Sequence, residues 1–195
     1  MHQQLWQSSL LTAAFTILGG IVTMPYSLTH ADEAIDHSDM SQLLAQAQWS
    51  TFTSETGRFA VKMPNQPTMT TDTDEIEGEP IEIYEFAAKT DTSSYSIFYT
   101  DLPAAYVNRG TETVLNGIRD RMIDGMVDAS LANALKASEV AVQLENYPGR
   151  QYVYSNELFA VDMRLYLVGE RVYLVVGTDM ETAAIDQFMD SFELL

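Results

Sequence analysis

After residue 49 apolar positions alternate with polar ones over most of the chain, and only two stretches space them by three and four, so the pattern predicts strands interrupted by few helices. Trp49–Thr53 and Arg58–Met63 read as strands around Glu55-Thr56-Gly57, the second stopped by Pro64 and Pro67. Thr68–Glu77 and Pro80–Ala87 read as a hairpin turning near Gly78. A strand over Tyr95–Thr100 follows, ended by Asp101-Leu102-Pro103. Thr113–Met126 has helical spacing, with Val114, Leu115, Ile118, Met122 and Met126 on one face as core residues. Ala129–Ser138 is ambiguous in pattern, with a short helical turn as one reading. Strands resume at Val140–Leu144 and Gln151–Tyr154, joined through Asn146-Tyr147-Pro148-Gly149, whose Pro and Gly suit the centre of a type II turn.

The strongest pattern is Met163–Val168 and Arg171–Val176 about Gly169-Glu170, a two-residue II′ hairpin. That turn sets Val168 opposite Arg171, Tyr166 opposite Tyr173 and Arg164 opposite Val175. One face is then Leu165, Leu167, Val172, Leu174 and Val176. The other carries Arg164, Tyr166, Val168, Arg171, Tyr173 and Val175, so both faces need covering. A last helix, with Ile185, Phe188, Met189 and Phe192 as its stripe, supplies cover, and Thr178-Asp179-Met180-Glu181 has capping-box spacing at its start. With that helix on the aliphatic face, the central or the lead-in helix would cover or border the tyrosine face. The expected class is α+β, a largely antiparallel sheet flanked by helices.

Residues 1–31 contain no Asp, Glu, Lys or Arg, and their apolar centre, Leu10–Val22, has the length of an export signal's hydrophobic region. Thr29-His30-Ala31 before Asp32-Glu33 marks a cleavage position, so residues 1–31 read as a signal peptide, or as an anchor if uncleaved. Residues 32–48 form a polar lead-in with a short helical pattern, and 49–195 form one domain. The expected address is the periplasm or a thylakoid lumen.

Charge narrows the partners. Among 195 residues, 28 acids face 10 bases, for a net −18. Nucleic acid and anionic bilayer surfaces are poor partners for such a chain. Cysteine is absent, and the three histidines, His2, His30 and His37, all precede the first strand. The body therefore lacks the residues for Ser–His–Asp or Cys–His catalysis and for zinc sites of the usual kind. No enzyme activity and no cofactor are expected.

Two constellations remain. Arg150, Arg164 and Arg171 stand out in a base-poor chain, and with Tyr152, Tyr154, Tyr166 and Tyr173 they form a candidate patch for an anionic or carboxylate-bearing protein partner. The alternative is that each Arg pairs internally while the tyrosines pack under a helix. The run Asp72, Asp74, Glu75, Glu77 and Glu79 is a candidate for a hard cation such as Ca²⁺, or a solvated edge that resists strand pairing.

Several strings, in order, resemble a group of exported bacterial and notably cyanobacterial proteins of largely unknown role. They are Trp49-x-x-Phe52, Gly57-Arg58-Phe59, Met63-Pro64, Pro67, Tyr95, Tyr99-x-Asp101-Leu102-Pro103, Tyr147-Pro148-Gly149-Arg150, Arg164–Gly169 and Phe188-Met189-Asp190-Ser191-Phe192. The element order and the Asp-Ser-Phe ending are similar to the PsbP/DcrB-like superfamily, over roughly Trp49 to Leu195. The resemblance implies a PsbP-like α/β/α sandwich and a non-catalytic accessory, assembly or protein-binding role, in a photosynthetic or envelope complex associated with a membrane. Metal sites of that group lean on histidine, which the body lacks. The competing expectation is a small-ligand or Ca²⁺-binding periplasmic module.

Overall fold

The computed structural model describes residues 49–195; the signal and lead-in readings, and the placing of the Met126 side chain, lie outside the described residues. Strands β1 (Ser50–Ser54) and β2 (Phe59–Met63) pair antiparallel, and β10 (Glu193–Leu194) joins β2 from the far end of the chain. The other seven strands make one antiparallel sheet: β3 (Thr68–Ile76), β4 (Glu79–Lys89), β5 (Ser94–Asp101), β6 (Val140–Leu144), β7 (Tyr147–Ser155), β8 (Ala160–Val168) and β9 (Arg171–Asp179). Their spatial order is β3-β4-β5-β9-β8-β7-β6, so β3 and β6 are its edges. Between β5 and β6 run α1 (Ala104–Val107), α2 (Thr111–Met126) and α3 (Ala129–Ala137), and α4 (Thr182–Asp190) precedes β10. The class is α+β, as the pattern predicts.

The β8–β9 hairpin has the predicted register, with Tyr166 opposite Tyr173 and Arg164 opposite Val175. Gly169 takes φ 64, the left-handed conformation that the first position of a II′ turn demands. Its two faces seed two cores. Leu165, Leu167, Val172 and Leu174 pack with Val114, Leu115, Ile118 and Met122 of α2 and Leu135 of α3. Tyr166, Tyr173 and Val175 pack with Ile185, Phe188 and Met189 of α4 and with Phe59, Val61 and Met63 of β2. The covering helices are thus the reverse of the expectation: α4 lies on the tyrosine face and α2 on the aliphatic one. The chain's last segment is tied to β2 through β10, and Lys62 N donates to Ser191 Oγ at 2.8 Å, which fixes α4 on β2's side of the sheet.

Three local expectations are corrected. Thr178 belongs to β9 and makes no capping box; Glu181 occupies the N-cap of α4, and its N–H donates to Asp179 Oδ1 at 3.0 Å. Ala129–Ala137 is a full helix, capped by Asp128, whose Oδ1 accepts from Ser130 N and Leu131 N at 2.8 and 3.1 Å. The β6–β7 turn is Glu145-Asn146, with Glu145 at φ 55, while Pro148 and Gly149 lie inside β7. Pro148 is tolerated because it falls beyond the last β7–β8 pair, where it faces β6 alone.

Candidate functional site

The seven residues of the Arg–Tyr patch do not form one surface. Side chains two apart share a face of a strand, so Arg150, Tyr152 and Tyr154 of β7 point toward the α2–α3 layer. Arg164, Tyr166, Arg171 and Tyr173 point toward α4 and β2. Tyr152, Tyr166 and Tyr173 are core side chains, at 1%, 4% and 1% exposure. The Tyr173 hydroxyl donates to the Gly57 carbonyl at 2.7 Å, tying the two sheets together. Burial raises the pKa of all three phenols, with the neighbouring Glu139 adding to the effect at Tyr152.

Each arginine is committed to carboxylates. Arg171 grips Asp101 with Nε and Nη2 at 2.6 and 2.7 Å, donates to the Thr56 carbonyl at 2.8 Å and lies 4.6 Å from the Tyr99 ring centroid. That bidentate bond holds the Asp101 carboxyl below its ordinary pKa. Arg150 pairs with Glu112 and lies 3.5 Å from Glu139, which also takes Arg119 at 3.0 Å, so α2 and the start of β6 are bolted to β7. Arg164 meets Asp162 and Asp190, each at 3.2 Å. Asp162 is 6% exposed, Gln151 Nε2 donates to its Oδ2 at 2.8 Å, and its Oδ1 has no hydrogen-bond partner. Burial accordingly raises the Asp162 pKa, with Arg164 opposing.

The acidic run is dispersed as well. Asp72, Asp74 and Glu79 lie on the face toward α2, Glu75 on the opposite face, and Glu77 in the turn at φ 57. Arg121 Nη2 donates to Asp74 Oδ2 and to the Glu75 carbonyl, both at 2.9 Å, and Arg109 pairs with Glu77. Among the described residues no group of three or more metal-binding side chains is placed to hold a cation.

The structure does bring together a surface that the site reading missed. Val140, Val142 and Leu144 of β6 project on the α4 side, in register with Gln151, Gly149 and Tyr147 of β7. Val142 and Leu144 pack against the α4–β2 core, and the face opens at its two ends, where Val140 is 51% exposed, Val153 46% and Tyr147 36%. The outer edge of β6 pairs with no strand among the described residues. The sequence signal was the run Val140-Ala141-Val142-Gln143-Leu144, a strand whose interior carries no charge.

No protein-family model and no curated protein matches the chain. Two solved structures are similar in chain path. A crystal structure from Bacteroides thetaiotaomicron VPI-5482 shares 12% identity at a TM-score of 0.41, over 76% of this chain and 49% of that one. The chain thus spans about half that protein's length. The solution structure of cyanobacterial PsbP (CyanoP) from Synechocystis sp. PCC 6803 shares 9% identity at a TM-score of 0.46, over 75% of this chain and 92% of that one. Likeness at this level assigns neither partner nor activity.

Proposed function

We propose that the chain is an exported, non-enzymatic accessory domain that holds an extended segment of a partner protein against β6. One observation carries the reading: β6, free of charge from Val140 to Leu144, has one edge that pairs with no strand among the described residues, and exposed apolar side chains of Val140, Val153 and Tyr147 lie beside it. Such an edge offers main-chain hydrogen bonds for affinity, and the exposed side chains offer contacts for alternate side chains of an added strand. The paired arginines and a body without histidine or cysteine favour binding over catalysis. The PsbP/DcrB-like strings favour the same class, an accessory subunit of a photosynthetic or envelope complex.

Charge selects the occupant. A second copy would bring another −18 and would set Glu145 and Glu139 of one β6 near those of the other. A segment of alternating apolar residues with basic ends would instead meet Glu145 at the turn. The probe is an eight-residue peptide of alternating valine and threonine with lysine at both ends, added to the full chain while amide hydrogen exchange is followed. Exchange across Val140–Leu144 should slow and exchange across β3 should not, and Val142→Lys should abolish the effect. Protection by the same peptide with glutamate ends, protection at β3 instead, or self-association of the chain lost in Val142→Lys would overturn the reading.

A further inference from the structure

We infer that the open groove beside Glu85 is a binding site for a guanidinium or primary ammonium group. Glu85 and Asp162 are the two buried acids of the described residues. Asp162 has Arg164, whereas among the described residues no ion pair reaches Glu85. Glu85 is 9% exposed and, among the described residues, held by two hydroxyls: Thr70 Oγ1 donates to its Oε2 at 3.2 Å and Ser96 Oγ to its Oε1 at 3.4 Å. A carboxylate accepts about four hydrogen bonds, so both oxygens keep capacity. Glu85 borders an open groove, so a guanidinium or ammonium group entering from solvent would meet a carboxylate with acceptor capacity to spare.

The groove gives that cation a way in. It measures about 480 Å³ on the face of β3 and β4, walled by Asn65, Gln66, Thr68, Thr70, Ala87 and Lys89, with Glu85 at its side. The volume suits one amino-acid-sized molecule or one long basic side chain, and the hydroxyls and the Gln66 amide can accept N–H groups that the carboxylate does not. Among the described residues no ion pair joins the chain's own cations to Glu85. Lys89 lines the same groove, four residues along the strand and roughly 13 Å away at the strand rise, so a bound cation would share the groove with it. Seven of the ten Lys and Arg side chains are tied to other carboxylates. The site lies at the opposite end of the sheet from β6, so it stands or falls independently of that edge.

The test is titration of the full chain, followed by backbone amide NMR shifts, with L-arginine, the blocked tripeptide acetyl-Ala-Arg-Ala-amide, neutral L-citrulline and CaCl2. Shifts should centre on Thr70, Glu85 and Ser96 for an arginine-bearing probe. They should be absent with citrulline, and binding should weaken at least tenfold in Glu85→Gln. Glu82→Gln, an exposed acid of β4 on the opposite face, serves as the control and should leave binding unchanged, which separates the site from general attraction to a negative surface. Binding of free arginine assigns a small-molecule ligand, and binding of the tripeptide alone assigns a partner's side chain. Equal binding of citrulline, equal loss in Glu82→Gln, stronger competition by Ca²⁺ than by either arginine probe, or no shift with either arginine probe overturns the inference.

Discussion

β3 and β6 close the two sides of one sheet, yet their side chains are opposites. β3 presents Asp72, Asp74 and Glu75 among threonines, and Arg121 from α2 reaches over to hold it. β6 presents valine, alanine, glutamine and leucine and has nothing outside it among the described residues. Charge along an edge strand opposes the addition of another strand, because the incoming chain must bury or repel those groups. The acidic run that invited a cation reading has the composition of an edge that resists pairing. The same device is missing from β6, which is why the proposed partner strand is assigned to that edge.

The largest expected effect tests whether β6's apolar residues belong to the core or to a surface. Leu174 is 3% exposed at the sheet centre, so Leu174→Ala should cost about 2–5 kcal/mol in urea unfolding. Val140→Ala, at an exposed site, should stay within about 0.5 kcal/mol. Comparable losses at the two sites would make β6 core and dissolve the contrast with β3.

The next effect concerns the strand on which β6 rests. A Cβ added at Gly149 would stand 2.5 Å from Tyr166 Cδ1 and 2.6 Å from the Leu165 carbonyl oxygen. Gly149→Ala should therefore destabilise by about 1–3 kcal/mol, as overpacking does, and should loosen β6 and β7 before β3 in amide exchange. Uniform loosening of both edges would show that the β6 side has no independent response.

That glycine also shows why part of the structure was legible and part was not. The β8–β9 register was readable because a Gly-first two-residue turn fixes every pair after it. Pro148-Gly149 carries the same kind of signal and misled, since Gly149 is needed for the ring of Tyr166, a residue distant in sequence, and not for a turn. The hairpin pattern showed that both sheet faces needed cover but not which helix takes which, because β10's pairing with β2 decides that, and a two-residue strand leaves no period to read. Tyr and Arg were sound choices as interface residue types, but β alternation sent them to both sides of the sheet and into its cores. Glu85 was invisible: in sequence it is one more acid in an alternating strand, and its burial comes from neighbours on β3 and β5.

A smaller, signed effect comes from two aspartates. Burial raises the Asp162 pKa, so the fold gains from its protonation, and its contribution is present below the ordinary aspartate value and lost as pH rises through the raised one. Arg171 lowers the Asp101 pKa, so its contribution is present above the ordinary value and lost as pH falls through the lowered one. The stability difference between Asp162→Asn and the natural chain should therefore move in the variant's favour from about pH 4 upward toward neutrality. For Asp101→Asn the natural chain should gain on the variant as pH rises through the range below about 4. Urea unfolding across a pH series reads both, and equal signs would remove the electrostatic distinction between the sheet under β7 and the β5–β9 strand ends.

The smallest expected effect lies at the charged edge itself. Arg121 is 40% exposed and bridges α2 to Asp74 and the Glu75 carbonyl, so solvent screens much of its attraction. Arg121→Ala should cost only about 0.2–1 kcal/mol, and the loss should shrink as salt rises toward molar concentration. Its structural consequence should be larger than its energy, because among the described residues β3 pairs with one strand, β4. Without the guanidinium, amide exchange should quicken over Asp74–Ile76 while β6 keeps its rate. The acids would still repel an added strand, so no gain in strand-peptide binding at β3 is expected from Arg121→Ala. A β3 that began to bind the lysine-ended peptide in that variant would show that the arginine, rather than the carboxylates, was guarding the edge, and the account of why β6 alone is open would have to be rebuilt around α2.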